Sequence, residues 1–460
     1  MTTPTPAARR RLPLVLRNRA FGTVWLGQVL TQAGVRMFQV GTSWWLIGYA
    51  VSGDGGLAAG LFMAVSTLPA VALAPLVARA IARTAHRSLL RTAAGGAGAA
   101  AAALACWAGL GDLPVAAAYA AALALATCQA FFDPCLTTSV PELVDDADIE
   151  AATGFELSTQ SLASLGGALL GALVVDEAGM AGLAVGCAVA YTSAALLIAT
   201  VRFRTPAGAL PGAEGPEEAS PEEASPEEDG ADAARAPRRT LRQILGAMPY
   251  VRAILLCFTA ANLFTTAVFV VIPLYTASVL RGDGGTVALL EASLGVGTLI
   301  GSVTGARVPG RPTTVGAALL GAMAVALAVP GLIAARPVIA GALLVAGWCV
   351  GVIGVRFVAL FQRLVPAADK PAFFAVMQAV LGSTFPVASL LFGMLGDHLS
   401  AQTLCLIQAA GLVPAALALA LLPGPAHART PDGSQRTQPE TETETEPRPE
   451  AETAARGGAR

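Results

Sequence analysis

Residues 22–50 read GTVWLGQVLTQAGVRMFQVGTSWWLIGYA. Wound as a helix rising about 1.5 Å per residue, this stretch exceeds the roughly 30 Å hydrocarbon core of a bilayer. It holds no acid and a single base, Arg36, yet it is not uniformly apolar. Gln28, Gln32, Arg36, Gln39 and Ser43 follow at steps of four, four, three and four residues, which places all five on one helical face. Lipid offers such groups no hydrogen bonds, so a polar stripe on a membrane span must turn toward protein or a water-filled cavity. The stretch predicts both a membrane crossing and an interior for that crossing to face.

Working outward, apolar runs recur along the whole chain of 460 residues, of which 55% are hydrophobic and 13% charged. An average soluble domain carries about 25% charged residues. Twelve spans are predicted, at 22–50, 56–80, 89–110, 114–139, 157–175, 181–201, 251–280, 286–306, 313–334, 337–360, 373–395 and 402–422. They are rich in Ala, Gly, Leu and Val, and small residues let helices approach closely in lipid. The runs do not alternate, which excludes a membrane β-barrel. The fold class is an all-α membrane protein, and no cleavable signal is expected ahead of the first span.

Loop arginines orient the spans. Arg9, Arg10, Arg11, Arg17 and Arg19 precede the first. Arg79, Arg83, Arg87 and Arg91 follow the second, a cluster from Arg202 to Arg242 follows the sixth, and Arg307, Arg311, Arg363 and Lys370 follow later even-numbered spans. The odd-numbered loops offer only Arg281 and Arg336. Twelve spans with both termini cytoplasmic satisfy this pattern, in a multi-pass cytoplasmic-membrane protein. The loop after span 4 is acidic (Glu142, Asp145, Asp146, Asp148, Glu150), but acids carry little weight in the rule. The expected organisation is a cytoplasmic N-terminal segment (1–21), a first six-helix bundle (22–204), an acidic linker (205–240), a second six-helix bundle (241–422) and a tail (423–460). Linker and tail are acidic, Pro-rich and expected to be disordered tethers.

The halves echo one another. Span 4 runs into Val140-Pro141-Glu142-Leu143 and span 10 into Val365-Pro366-Ala367-Ala368. Two duplicated six-helix halves are a transporter architecture. At these residues the chain resembles the major facilitator superfamily, and within it the drug and siderophore exporter branch that includes macrolide-efflux and enterobactin-exporter proteins. The resemblance rests on Arg17-Asn18-Arg19-Ala20-Phe21-Gly22, Trp44-Trp45-Leu46, Gln129-Ala130-Phe131-Phe132-Asp133-Pro134 with Val140-Pro141-Glu142-Leu143-Val144, and Phe361-Gln362-Arg363-Leu364-Val365-Pro366. It covers about 14–204 and 240–422. It implies two pseudo-symmetric bundles, a central cavity lined by helices 1, 4, 7 and 10, and export driven by proton antiport. It also implies gating roles for Arg83 and Arg87 in the helix 2–3 loop, where the family's glycine and acid are Ala78 and Ala82. The span 5 motif stands as Gly166-Gly167-Ala168-Leu169-Leu170-Gly171, with the proline missing.

Candidate substrate-cavity residues are Gln28, Gln32, Arg36, Gln39, Gln129, Asn262, Thr266 and Arg356. Arg36 lies near mid-span and keeps its charge, so it needs a carboxylate, carbonyl groups or an anionic substrate. Arg356 either faces the cavity or snorkels to the cytoplasmic surface. Asp133, near an Asp-Pro helix end, and Glu291, in the outer part of span 8, are candidate proton-coupling carboxylates, with structural or rim-exposed roles as the alternatives. Glu156 begins span 5. The seven cysteines form no Cys-x-x-Cys and read as packing residues. The histidines (86, 398, 427) fall in loops or tail, so no metal site is expected, and no phosphate-binding loop occurs. No cofactor, no enzymatic activity, no nucleic-acid partner and a monomeric state are expected. The partners are a small-molecule substrate, the bilayer and protons. The rival readings are an importer or facilitator of a nutrient and a non-transporting sensor or scaffold.

Overall fold

A computed structural model describes residues 14–144, 148–201, 203, 246, 248–366 and 370–422. The elements among them are helical. α1 (Arg19–Trp45) starts at Asn18, whose side chain accepts from the Phe21 N–H at 3.1 Å, and ends in a π turn, Leu46–Ala50. α2 (Gly55–Ala72) breaks at Leu73, beyond Pro69, and continues as Ala74–Arg83. α3 is His86–Leu110 and α4 is Val115–Leu143.

The long helix Ile149–Thr200 is two crossings. Gly179 has φ 64° and ψ −169°, a backbone conformation that a side chain would strain. It divides α5 (149–178) from α6 (180–200). α1 proves the reversal. Its Arg36 and Gly41 lie beside Gly167 and Gly171 as α5 runs out, whereas Gly41, Gly34 and Gly27 lie beside Leu183, Tyr191 and Ile198 as α6 returns.

The second half repeats the pattern. α7 runs Pro249–Thr266, then Val268–Tyr275, and closes in a π turn, Thr276–Leu280, as α1 does. α8 is Gly284–Thr304, α9 Pro312–Leu332, α10 Arg336–Leu364, α11 Lys370–His398 and α12 Ala401–Leu421. Among the described residues, ten helices are long and apolar enough to cross a membrane, with the α5–α6 hairpin counted once. α1 is not one of the ten, because its glutamines and Arg36 lower its hydropathy. With α1 included and the hairpin divided, twelve crossings form two six-helix bundles.

Leu110, Val189, Leu196, Val303, Val325, Leu332 and Leu421 stand exposed around the outside, as a lipid-facing surface requires. The halves meet along two seams, α2 with α11 and α5 with α8. Close approach needs glycine there: a Cβ on Gly393 would lie 2.9 Å from the Gly60 Cα.

Several expectations need correction. α4 passes through Pro134 to Leu143, so Asp133 lies inside a helix and not at a helix end. His86 opens α3 and His398 closes α11, so neither is a plain loop residue. Two of the acids that ran against the orientation rule are partnered, and one of them, Glu142, lies within α4. Asp148 pairs with Arg17 at 2.5 Å, and Glu142 with His86 at 2.6 Å. Asp145, Asp146, the linker 205–240, the tail 423–460 with His427, and the side chains of Glu150 and Glu156 lie outside the described residues.

Candidate functional site

The α1 stripe faces protein, and its members have different surroundings. Gln32 donates to Asp133 Oδ1 at 2.7 Å, and Gln129, one turn before Asp133 on α4, donates to the same oxygen. Two side-chain amides from two helices therefore orient one carboxylate. Asp133, Gln129 and Gln39 line a cavity of about 210 Å³ between α1, α2 and α4, together with Ser66, Phe38 and Tyr191. Tyr191 is 2% exposed, and its hydroxyl has no hydrogen-bond partner among the described residues. Gln28 and Ser43 are buried and do not line this cavity. The Gln28 amide nitrogen and the Ser43 hydroxyl have no partner among the described residues.

Arg36 is the link from the first half to the second. It donates to Gln39 Oε1 at 3.4 Å, and its guanidinium carbon lies 5.6 Å from the centre of the Phe269 ring of α7. A cation over an aromatic face is attracted by the ring quadrupole. The acid whose field acts on Arg36 is Glu291 of α8, and Arg36 acts on Glu291 in return. Glu291 is 6% exposed, so the rim-exposed alternative is wrong. Its Oε1 has no hydrogen-bond partner among the described residues.

The second half holds a cavity of about 270 Å³ between α7, α9, α10 and α11. Its walls are Phe258, Phe357, Phe361, Met323 and Met377, with Asn262, Thr265 and Gln378 as polar members. Asn262 donates to the Leu381 carbonyl at 3.0 Å and to Thr384 Oγ1 at 2.6 Å, which ties α7 to α11. Thr266 bonds back to the Asn262 carbonyl at 2.8 Å, and its neighbour Thr265 takes the cavity position instead. Arg356 lines neither of these two cavities. Its two terminal nitrogens donate to the Val308 and Gly310 carbonyls, each at 2.5 Å, and pin the loop between α8 and α9.

The expected gating residues divide similarly. Arg87 donates to the Ala199 carbonyl and so fastens α3 to the end of α6, while Arg83 is exposed. Gly166 has open space around its Cα. Gly167 and Gly171 do pack on α1: a Cβ on Gly167 would lie 2.7 Å from the Arg36 Cβ, and one on Gly171 would lie 2.9 Å from the Gly41 nitrogen. These glycines set how closely α5 approaches the arginine.

Two acids outside the predicted set join the halves at the end where α1 meets α2. Asp397, at the end of α11, accepts from the Gly56 and Leu57 N–H groups of α2, both at 2.8 Å. Asp176, at the end of α5, accepts from the Gly284 N–H of α8, from Trp44 Nε1 at 2.6 Å and from the Tyr49 hydroxyl at 2.8 Å. Asp283 caps α8 from within the same half, and hydrogen bonds from the Thr286 hydroxyl and N–H hold its carboxyl below the usual carboxylate range. A signal for the bridging pair existed in the sequence, since each acid closes the fifth helix of its half.

Solved structures share this architecture. A D-xylose–proton symporter matches with TM-score 0.64 and 15% identity, over 87% of this chain and 96% of that one. A bacterial homologue of the iron transporter ferroportin, in an inward-facing state, matches with TM-score 0.64 and 14% identity, over 87% and 98%. An autoinhibited peptide transporter of the POT family matches with TM-score 0.63 and 13% identity, over 91% and 99%. At these identities the likeness is one of fold. No curated protein matches the chain in sequence. The family model for the Major Facilitator Superfamily matches residues 24–366, and with a duplicated six-helix fold around buried polar groups, the chain belongs to that superfamily of membrane transporters.

Proposed function

We propose that this transporter exports a small, partly apolar organic molecule across the cytoplasmic membrane by alternating access, with protons returning as the driving ions. The observation that carries the reading is the carboxylate of Asp133, oriented by Gln32 and Gln129 on the wall of a cavity between helices of the first half. Polar groups inside a membrane span are costly and mark substrate or ion pathways. A second acid, the buried Glu291, lies across the interface within the field of Arg36. Protonation of Glu291 would release Arg36 from that field, so proton loading and the state of the interface would change together. With both termini cytoplasmic, as the loop arginines favour, the end where α1 meets α2 faces the exterior.

Export is favoured over import by the resemblance of the α1, α4 and α10 segments to the exporter branch. Energised cells and inverted vesicles decide between them. An exporter lowers substrate content in cells and accumulates it in inverted vesicles under a proton gradient, and the reverse pattern would establish an importer. Binding without gradient-dependent flux in either system would remove transport of that compound altogether. Coupling through Glu291 requires that Glu291→Gln flatten the pH dependence of flux in proteoliposomes. An unchanged pH profile would exclude Glu291 from that role.

A further inference from the structure

The bridging acids occupy corresponding places. α5 and α11 are each the fifth helix of a half, and α2 and α8 each the second. Asp176 ends α5 in the first half and reaches the first residue of α8 in the second. Asp397 ends α11 in the second half and reaches the first turn of α2 in the first. A helix N-terminus presents N–H groups without intrahelical partners and a partial positive charge, so a carboxylate there makes a charge-assisted bond. Asp54 stands at the N-cap of α2 and makes no side-chain cap there, leaving the cap to Asp397 from across the seam.

We propose that Asp176 and Asp397 are a matched pair of positioning residues that hold the transporter closed at the end where α1 meets α2. Each uses its carboxylate to cap a helix of the opposite half. The inference rests on the alternating-access reading, because a cap made across the seam is lost whenever the halves separate at that end. The two caps are unequal. Asp397 spends both oxygens on α2. Asp176 shares its oxygens between α8 and two aromatic donors of its own half, Trp44 and Tyr49, and so links the position of α1 to the seam. The glycines at the caps belong to the device: a Cβ on Gly56 would lie 2.7 Å from Asp397 Oδ1, and one on Gly284 would lie 2.7 Å from Asp176 Oδ2.

The test is a distance measurement on the full chain in lipid nanodiscs, with spin labels at Asp112 and Ala334 and the exposed Cys106 replaced by serine. Both label sites are exposed and lie in loops of opposite halves at this end. Asp397→Asn and Asp176→Asn should each raise the population of the longer distance about threefold, and the double variant roughly tenfold, the worth of one to two modest hydrogen bonds. Asp397→Asn should exceed Asp176→Asn. Gly56→Ala keeps both carboxylates and wedges the seam, and should shift the populations in the same direction even if an Asn variant fails to fold. A merely structural role would lower thermal stability and leave the distance populations unchanged, and that result would overturn the proposal. Flux on the same samples separates the two readings. Intact transport with unchanged distances refutes the latch alone, whereas shifted distances without flux of any compound leave the latch standing and remove the transport reading.

Discussion

The two cavities stand on matching helices, α1 and α4 in the first half and α7 and α10 in the second, yet their chemistry differs. The first sets Asp133, Gln39, Gln129, Ser66 and Tyr191 among apolar residues such as Val35, Phe38 and Leu125, whereas the second is walled by Phe258, Phe357, Phe361, Met323 and Met377 with Asn262, Thr265 and Gln378 as its polar members. Their remaining walls do not correspond, α2 in the first and α9 with α11 in the second, and their side chains differ as well. A carboxylate held by two amides recognises direction and charge. An aromatic and methionine wall rewards apolar contact without direction and adapts to shape. On the proposed reading one molecule would meet both criteria, and the carboxylate of the polar cavity would carry the proton.

The largest effect is expected where the halves exchange charge. Arg36→Gln removes the positive charge that acts on Glu291 and leaves a buried carboxyl group without it. Breaking a buried pair in direct contact costs about 3–5 kcal/mol, and this pair, which is not in direct contact, should cost less. Flux should fall to background and the thermal midpoint should drop. The Arg36→Gln/Glu291→Gln double variant should recover about 0.5–3 kcal/mol of stability but no flux. A double variant no more stable than Arg36→Gln would show that the two charges are not coupled. Next comes Asp133→Asn, which keeps the shape and removes the charge. A hydrogen bond to a charged group contributes about 1.5–3 kcal/mol, so substrate affinity should fall roughly 10- to 100-fold in a binding assay.

On the apolar wall the expected effect is smaller and of another kind. Phe258 meets Phe357 edge-on with ring centroids 4.2 Å apart. Phe258→Leu keeps an apolar wall and changes its outline. Relative flux of two substrates differing in apolar bulk should change about tenfold or less, with the pH dependence untouched. If Phe258→Leu altered the pH profile while Asp133→Asn altered only size preference, the division between the cavities would be reversed.

The crossings were legible because hydrophobic length is a local property, and Gln28, Gln32, Arg36 and Gln39 were legible as one face because helical spacing is local too. Partners were not. Gln32 and Asp133 are 101 residues apart, and only packing shows that they touch. Glu291 stayed open between a coupling role and a rim position because its place along α8 is set by sequence, whereas its burial is set by the helices packed around α8. Arg356 looked like a second cavity arginine because nothing local announces the carbonyls of Val308 and Gly310. Asp176 and Asp397 lay near predicted span ends, where acids are ordinary. Their meaning required the other half.

The smallest expected effect tests how far the polar character of the first half extends. Gln28 belongs to the α1 stripe, but it is 3% exposed, does not line the cavity, and its amide nitrogen lacks a partner among the described residues. Burying an amide group without compensation costs about 1–3 kcal/mol by mutational measures. Gln28→Leu removes that unpaired group at similar volume. It should leave flux within about twofold and hold or raise the thermal midpoint, equivalent to roughly 1 kcal/mol or less of stabilisation. The matching change one turn on, Gln32→Leu, strips a donor from Asp133 and should impair flux while the fold survives. Equal damage from both would mean that the whole stripe acts as one surface in a conformation open at the other end. Damage confined to Gln32 would mean that recognition depends on the bonded carboxylate and not on the polarity of the face.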